Sequence, residues 1–305
     1  MAEDAVTERP PPKFRHYVEY VPLWLATRLF GLLPLDAAST AAAALGRFLG
    51  PKVPVSNRAR QNLRVVFPDM PEAEREKIVR GVWDNLFRIV NDFCHMPRIR
   101  AEHESRIEVV GGEHLEALRT SGRPAILFTA HIGDWEMASF VARTRGLPIS
   151  FLYRRFNNPL FDRTARLLQD VAEEEIILKG RAGARKMTEV MKRGDPVFML
   201  VDVRMNDGVK VPFLGVDAMT PSAPALLALR YDAVLVPIWT ERTGPAQFRV
   251  TIEEPYAPPS TGDRNADVVS IMTWVNDRIG AWVRARPEQW MWLHRRWGKT
   301  PGKPS

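Results

Sequence analysis

A chain of 305 residues, 45% hydrophobic and 26% charged, has the composition of a folded protein with room for one large domain, and wholesale disorder is excluded. The formal charge of +7, from 43 Lys and Arg against 36 Asp and Glu, calls for an anionic partner without choosing among nucleic acid, acidic protein and lipid surface. A single cysteine, Cys94, excludes an intrachain disulfide and a thiolate metal cage, and the acidic, proline-rich start MAEDAVTERPPPK is not a secretory signal.

Residues 1–16 read as a disordered polar tail. From Tyr17 to about Gly50 the chain turns apolar, but Glu19, Arg28, Asp36 and Arg47 interrupt the run and Pro22 and Pro34 cut it. A bilayer-spanning helix needs about 20 apolar residues with few charges. The pattern therefore predicts two helices that enter or lie on a membrane interface, with Tyr17, Tyr20, Trp24 and Phe30 at headgroup depth. A helical hairpin packed on the main domain is the alternative. Residues 57–67 and 72–93 place Ile78, Val82, Leu86, Ile89, Val90 and Phe93 at helical spacing. Pro68 and Pro71 separate these two helices, and Pro97 is expected to stop the second. Residues 17–105 thus form an N-terminal helical, membrane-associating region.

From Arg106 onward short apolar runs alternate with helical patterns. RIEVVG, PAILFTA, PISFLY, EIILK, PVFMLVD, AVLVPIWT and FRVTIEE read as strands. Helices are predicted for GEHLEALRTSG, from about Asp134 to Arg145, over 158–172, over 182–193, for PSAPALLALRY and over 264–285. The last carries Ile271, Trp274, Val275, Ile279 and Trp282 on one face. The loop 205–220 either walls an acyl groove with Val211, Phe213 and Leu214 or forms a hairpin over the core. This alternation predicts an α/β domain over 106–299, layered, with a mostly parallel sheet flanked by helices, and a tail at 300–305.

The chemistry concentrates in His131-Ile132-Gly133-Asp134-Trp135-Glu136. A buried strand, Ala125 to Thr129, delivers His131 to the edge where open α/β sheets place ligands. Positions five apart on one helix face about 140° away from each other. His131 and Glu136 therefore meet only if His131 stays in the strand–helix turn that Gly133 permits, with Glu136 in the first helical turn. The carboxylate then holds one imidazole nitrogen and leaves the other to take a proton from a hydroxyl. Asp134 is a rival for that orienting role, and Glu136 is equally placed as a capping carboxylate. Backbone amides near Gly133 are candidate oxyanion donors. Two more strand ends add polar groups: Arg154, Arg155, Asn157, Asn158 and Asp162 after PISFLY, and Asp202 and Arg204 after PVFMLV. The planar guanidinium suits phosphate oxygens, so Arg154, Arg155, Asn158, Asp202 and Arg204 are candidate substrate-binding residues. His16, His95, His103 and His114 read as surface residues, and His294 as part of a basic-aromatic terminus. There Trp290, Trp292 and Trp297 mix with Arg295, Arg296 and Lys299, a composition that suits a membrane interface better than RNA. Walker-type, H-E-x-x-H and G-x-S-x-G motifs are absent from the sequence.

HIGDWE, matching H-x4-[DE], and PEQWMWLHRRW, with YRRFNNPLFD and VPFLGVDAMT, make the chain resemble the bacterial lipid A biosynthesis (lauroyl/myristoyl) acyltransferases of the lysophospholipid acyltransferase superfamily. The resemblance covers roughly residues 15 to 299. Where many members carry Asp-Gln, this chain has Asp202-Val203. The resemblance implies His131 as general base and Glu136 as its orienting carboxylate, with no metal and no cofactor beyond the acyl thioester co-substrate. It implies acyl carrier protein or acyl-CoA as donor and an anionic glycolipid or phospholipid hydroxyl as acceptor, at the cytoplasmic face of a bacterial inner membrane and without nucleic acid. Lipid A precursor is the expected acceptor, with phosphoinositide mannosides and lysophospholipids as alternatives. A lipid acyl hydrolase using water at the same site and a non-catalytic basic membrane-binding module are the rival functions.

Overall fold

The computed structural model describes residues 11–153, 157–169, 175–178 and 180–298. The expected polar tails, apart from residues 11–16, lie outside them. Two helices, α1 (Phe14–Gly31) and α2 (Leu35–Leu49), open the chain, followed by α3 (Ser56–Val66) and the long α4 (Glu72–Ala101). Pro97 lies inside α4 instead of ending it. An interior proline costs about 3 kcal/mol through its missing N–H. Packing outweighs that here: Met96 and Ile99, on either side of the proline, are buried in one cluster with Leu35 of α2, and His95 Nε2 sits 3.4 Å from Leu33 O. His95 and His16 are buried rather than superficial.

The α/β domain then runs α5 (His103–Arg106), β1 (Ile107–Val110), α6 (Gly112–Ser121), β2 (Ala125–Thr129), α7 (Trp135–Thr144), β3 (Ser150–Tyr153), α8 (Pro159–Gln169), β4 (Ile176–Leu178), α9 (Arg181–Arg193) and β5 (Val197–Leu200). A hairpin of β6 (Val209–Phe213) and β7 (Val216–Thr220) follows, then α10 (Ala223–Tyr231), β8 (Val234–Gly244), β9 (Gln247–Ile252) and α11 (Arg264–Ala285). Seven strands form one sheet in the order β1-β9-β8-β2-β5-β3-β4. Every neighbouring pair is parallel except β8–β9, which is antiparallel.

Helices cover both faces of this sheet, so the central strand has no polar side. All five residues of β2 are buried. Ile126 and Phe128 join a core with Ile271, Val275 and Trp282 of α11, whereas Ala125 and Leu127 join one with Met137, Ala138 and Val141 of α7. Phe128 stacks on Trp282 at 6.0 Å, and Trp282 on Trp239 of β8 at 5.8 Å. Each fully buried side chain of this size contributes about 1.5–3 kcal/mol. The β6–β7 hairpin lies over the α11 side of this core with Val211, Phe213 and Leu214 buried, so the 205–220 segment covers the core rather than walling a groove.

The N-terminal helices pack on this body and also leave apolar surface uncovered. Leu35, Ala38, Ala42 and Ala43 of α2 are buried, the small side chains letting α2 lie close to α4. Tyr20 of α1 hydrogen-bonds Thr164 of α8 at 2.7 Å. Yet Phe14, Tyr17, Val18, Val21, Trp24, Leu25, Leu29 and Leu32 are exposed. Among the described residues no helix is long and apolar enough to cross a membrane.

Candidate active site

The site follows from strand register. β2 and β5 are parallel neighbours with Thr129 opposite Leu200, so each strand's second residue beyond that pair leaves the sheet at the same level. Those residues are His131 and Asp202. The Asp202 carboxylate accepts from His131 Nδ1 at 2.8 Å through Oδ1, and from the His131 amide at 2.9 Å and Trp290 Nε1 at 2.8 Å through Oδ2. Asp202 is fully buried. Burial alone would push its carboxyl up, but the charge and hydrogen bond of His131, with help from His294, hold it well below the usual carboxylate range. The His131 side chain keeps 19% of its surface exposed.

The acid on Nδ1 is thus Asp202, not Glu136, and Asp202 serves the imidazole rather than a substrate. Glu136 occupies the first turn of α7, as expected. Asp134, the rival orienter, caps that helix by accepting the Glu136 amide at 3.2 Å and lies 4.0 Å from Arg242. Gly133, at φ +59, lies against the Thr240 carbonyl of β8, where a Cβ would collide with backbone.

A short segment from the far end of the chain closes the turn. Ile132 pairs with Trp290 as an antiparallel bridge, Met291 N donates to His131 O at 2.9 Å, and Gly133 N donates to Gln289 O at 3.1 Å. Trp290, Trp292 and Arg296 are fully buried, which corrects the membrane-facing reading of this terminus: these indoles are core. The same segment sets His294 beside His131. The two imidazole centroids are 4.9 Å apart, and Trp135 meets the His131 ring at 5.0 Å. Burial, with the charges of His131 and Arg296, lowers the His294 pKa although Asp202 pulls it up. His294 and the pairing of Asp202 with His131 were not foreseen. Neither has a local sequence signal: one depends on β5 lying next to β2, the other on residues 289–291 pairing with the 131–133 turn.

Behind the turn lies a buried polar cluster from α4 and β8. Asn85 donates to Gly133 O at 2.8 Å and Gln289 O at 3.2 Å, and accepts from Arg242 Nε at 3.1 Å. Arg242 also pairs with Asp92 at 2.6 Å. Gln289 clasps the Arg242 backbone, accepting from its amide at 2.8 Å and donating to its carbonyl at 2.9 Å. Two buried acids share one cation, and burial with the nearby Asp92 charge raises the Asp134 carboxyl well above its ordinary value against the pull of Arg242.

Of the proposed substrate contacts, Arg154 and Arg155 lie outside the described residues. Asn158 is buried and its amide donates to His16 O at 2.9 Å and Glu19 at 3.1 Å, while its oxygen accepts from Leu160 N at 3.0 Å. Those bonds dock α1 on α8 and occupy the side chain. Asp162 accepts from Tyr153 at 3.1 Å and is buried. Arg204 is exposed and lies beside Gly298.

The chain is 27% identical over 290 residues to a phosphatidylinositol mannoside acyltransferase of Mycobacterium tuberculosis, covering 91% of this chain and 87% of the relative. It is 27% identical over 296 residues to the lipid A biosynthesis lauroyltransferase of Escherichia coli, covering 93% and 91%. A lipid A biosynthesis acyltransferase of Haemophilus influenzae is 23% identical over 292 residues, covering 90% and 87%. With the family's sequence model matching residues 10–299, nearly the whole chain, this protein belongs to the bacterial lipid A biosynthesis acyltransferase family.

Proposed function

We propose that the protein moves a fatty acyl group from an acyl thioester, carried by acyl carrier protein, directly to a hydroxyl of a lipid A precursor. The observation that carries this reading is the His131–Asp202 pair at the sheet edge. In the neutral ring, with Nδ1 donating to the carboxylate, Nε2 is the nitrogen left to accept the hydroxyl proton as the oxygen attacks the thioester carbonyl. Collapse of the tetrahedral centre breaks the C–S bond, and the imidazolium returns its proton to the thiolate. Asp202 fixes the tautomer and stabilises the imidazolium, a contribution of about 10²–10⁴-fold in rate for the base as a whole. Glu136, which completes the H-x4-E spacing, adds a second negative charge on the same turn. Arg154 and Arg155, immediately after β3, are assigned to the acceptor's phosphate.

A phosphatidylinositol mannoside acceptor is the second reading, favoured by a relative of that kind at the same 27% identity as the lauroyltransferase. The exposed apolar side chains of α1 support peripheral attachment to the membrane holding either acceptor. The test incubates purified protein with saturated C12 to C16 acyl thioesters of acyl carrier protein or of coenzyme A. Each is paired with a lipid A precursor or a phosphatidylinositol mannoside in detergent, and products are weighed by mass spectrometry. One added acyl chain on one acceptor, abolished by His131→Ala, is expected. No acylated lipid in any combination, only free fatty acid, or full activity in His131→Ala defeats the reading.

A further inference from the structure

Acyl transfer needs a hydrogen-bond donor for the carbonyl oxygen as it gains charge, and backbone amides commonly serve. Four amides of the turn bearing His131 are already engaged. The amide of His131 goes to Asp202, that of Ile132 to Ala130 O at 2.8 Å, that of Gly133 to Gln289 O, and that of Glu136 to Asp134. The expectation of donors near Gly133 therefore fails for these amides. A side chain next to His131 has what they lack: His294 Nε2 is buried and has no hydrogen-bond partner among the described residues. Leaving such a group unpaired costs about 1–3 kcal/mol, which a ligand atom reaching it would recover. The segment holding it is firmly anchored. Asn62 of α3 donates to Trp292 O at 2.7 Å and His294 O at 2.6 Å. Two residues on, Arg296 donates to Met219 O at 2.8 Å and Thr220 Oγ1 at 2.7 Å.

We infer that His294 is a second catalytic imidazole, donating its Nε2–H to the thioester carbonyl oxygen as that oxygen becomes an oxyanion. The inference rests on acyl transfer at His131. In the step, the acceptor oxygen bonds to the carbonyl carbon, its proton passes to His131, and the carbonyl electron pair moves onto the oxygen facing His294. When the C–S bond breaks, the pair returns and His131 protonates the sulfur, so His294 neither gains nor loses a proton. A neutral ring suits this place. His131 becomes cationic during the step, and a second cation 4.9 Å away would oppose that charge. Burial favours the neutral form of His294.

The test compares His294→Gln and His294→Phe with wild type and His131→Ala, using whichever of the two acceptors above is acylated. Gln keeps an N–H donor of similar reach, whereas Phe keeps the ring packing and has no N–H. The expected result is a 10²–10³-fold loss of kcat in His294→Phe. KM for both substrates should stay within about threefold, and His294→Gln should be about tenfold faster than the Phe variant, on the scale of that donor's contribution. His294→Leu replaces the Phe variant if thermal melting shows it unfolded. An apolar variant as fast as wild type, or faster than His294→Gln, overturns the inference. Loss of activity in His131→Ala alongside a fully active His294→Phe removes only the role of His294. A wild-type protein that acylates neither lipid removes both this role and acyl transfer.

Discussion

Asp202→Asn replaces one oxygen by an NH2 group and separates geometry from charge at His131. The carboxylate receives three N–H groups, one on Oδ1 and two on Oδ2. An amide has a single oxygen. Placed at Oδ2 it keeps the bonds from the His131 amide and Trp290 and turns its NH2 toward His131 Nδ1. Placed at Oδ1 it points NH2 at two buried N–H groups, and each unsatisfied donor costs about 1–3 kcal/mol. With Nδ1 accepting, the first orientation leaves neither of those two donors unpaired and is favoured by about 2–6 kcal/mol. In it His131 Nδ1 must accept, so the imidazole proton moves to Nε2, the nitrogen that has to receive the hydroxyl proton. The equivalent change in a serine-protease triad lowers kcat about 10⁴-fold through the wrong tautomer. A loss of about 10³–10⁴ in kcat is expected here on that scale, with KM and the thermal melt little changed. The 15N shifts of His131 report the proton's position directly. A variant within tenfold of wild type, or one whose imidazole keeps its proton on Nδ1, refutes the reasoning. Glu136→Gln is the control, because it should lower activity without moving that proton.

Gly133→Ala should unfold the turn, since φ +59 costs an alanine about 1–3 kcal/mol and its Cβ meets the Thr240 carbonyl; a melting temperature and activity equal to wild type would be the contrary result. Asp134→Asn keeps the cap acceptor for α7 and removes the buried charge. Because the folded-state pKa of Asp134 is raised, the wild type's advantage is complete below the unfolded value of about 3.9 and fades as pH rises toward the folded value. The variant's melting temperature should therefore gain on wild type between pH 4 and pH 7, and a variant that falls further behind over that range contradicts the sign. Replacing exposed Phe14, Leu29 and Leu32 together by serine should weaken sedimentation with anionic vesicles at least a hundredfold, at about 1.5–3 kcal/mol per apolar side chain; unchanged sedimentation rejects α1 as the anchor. Arg154→Ala should raise KM for the phosphorylated acceptor about tenfold or more, as loss of one charge-assisted contact implies, and leave KM for the thioester alone; equal effects on both would count against it.

The layered fold was legible because the strands of the seven-stranded sheet contain short apolar runs and most helices between them carry their own punctuation. Asp134 and Gly122, for example, bound α7 and α6 where the sequence places them. His131 was legible for the same reason, as the polar residue at the end of a buried strand. Its partner was not. Spacing within HIGDWE offers two acids, but local chain geometry sends Asp134 to the helix cap, and the carboxylate on Nδ1 comes from a strand 71 residues later. That pairing depends on β5 lying next to β2, a consequence of crossover topology that no local pattern records. The terminal tryptophans misled for a related reason. Indoles mixed with arginines have the composition of an interface, and only the pairing of residues 289–291 with the 131–133 turn turns them inward.

That pairing also accounts for the buried charges behind the site. Replacing buried ion clusters by apolar groups is often neutral or stabilising, so Asp92, Arg242 and Asp134 contribute little to stability as such. Their geometry fits a different role. Arg242 is joined to Asn85, and the Asn85 amide bridges the carbonyls of Gly133 and Gln289, the two backbone strands that must meet for His131 and His294 to share a space. A hydrophobic substitute has no donors with which to span two carbonyls. The cluster therefore fixes the register between two segments about 160 residues apart, and an error of one residue there would reverse which side chains face His131.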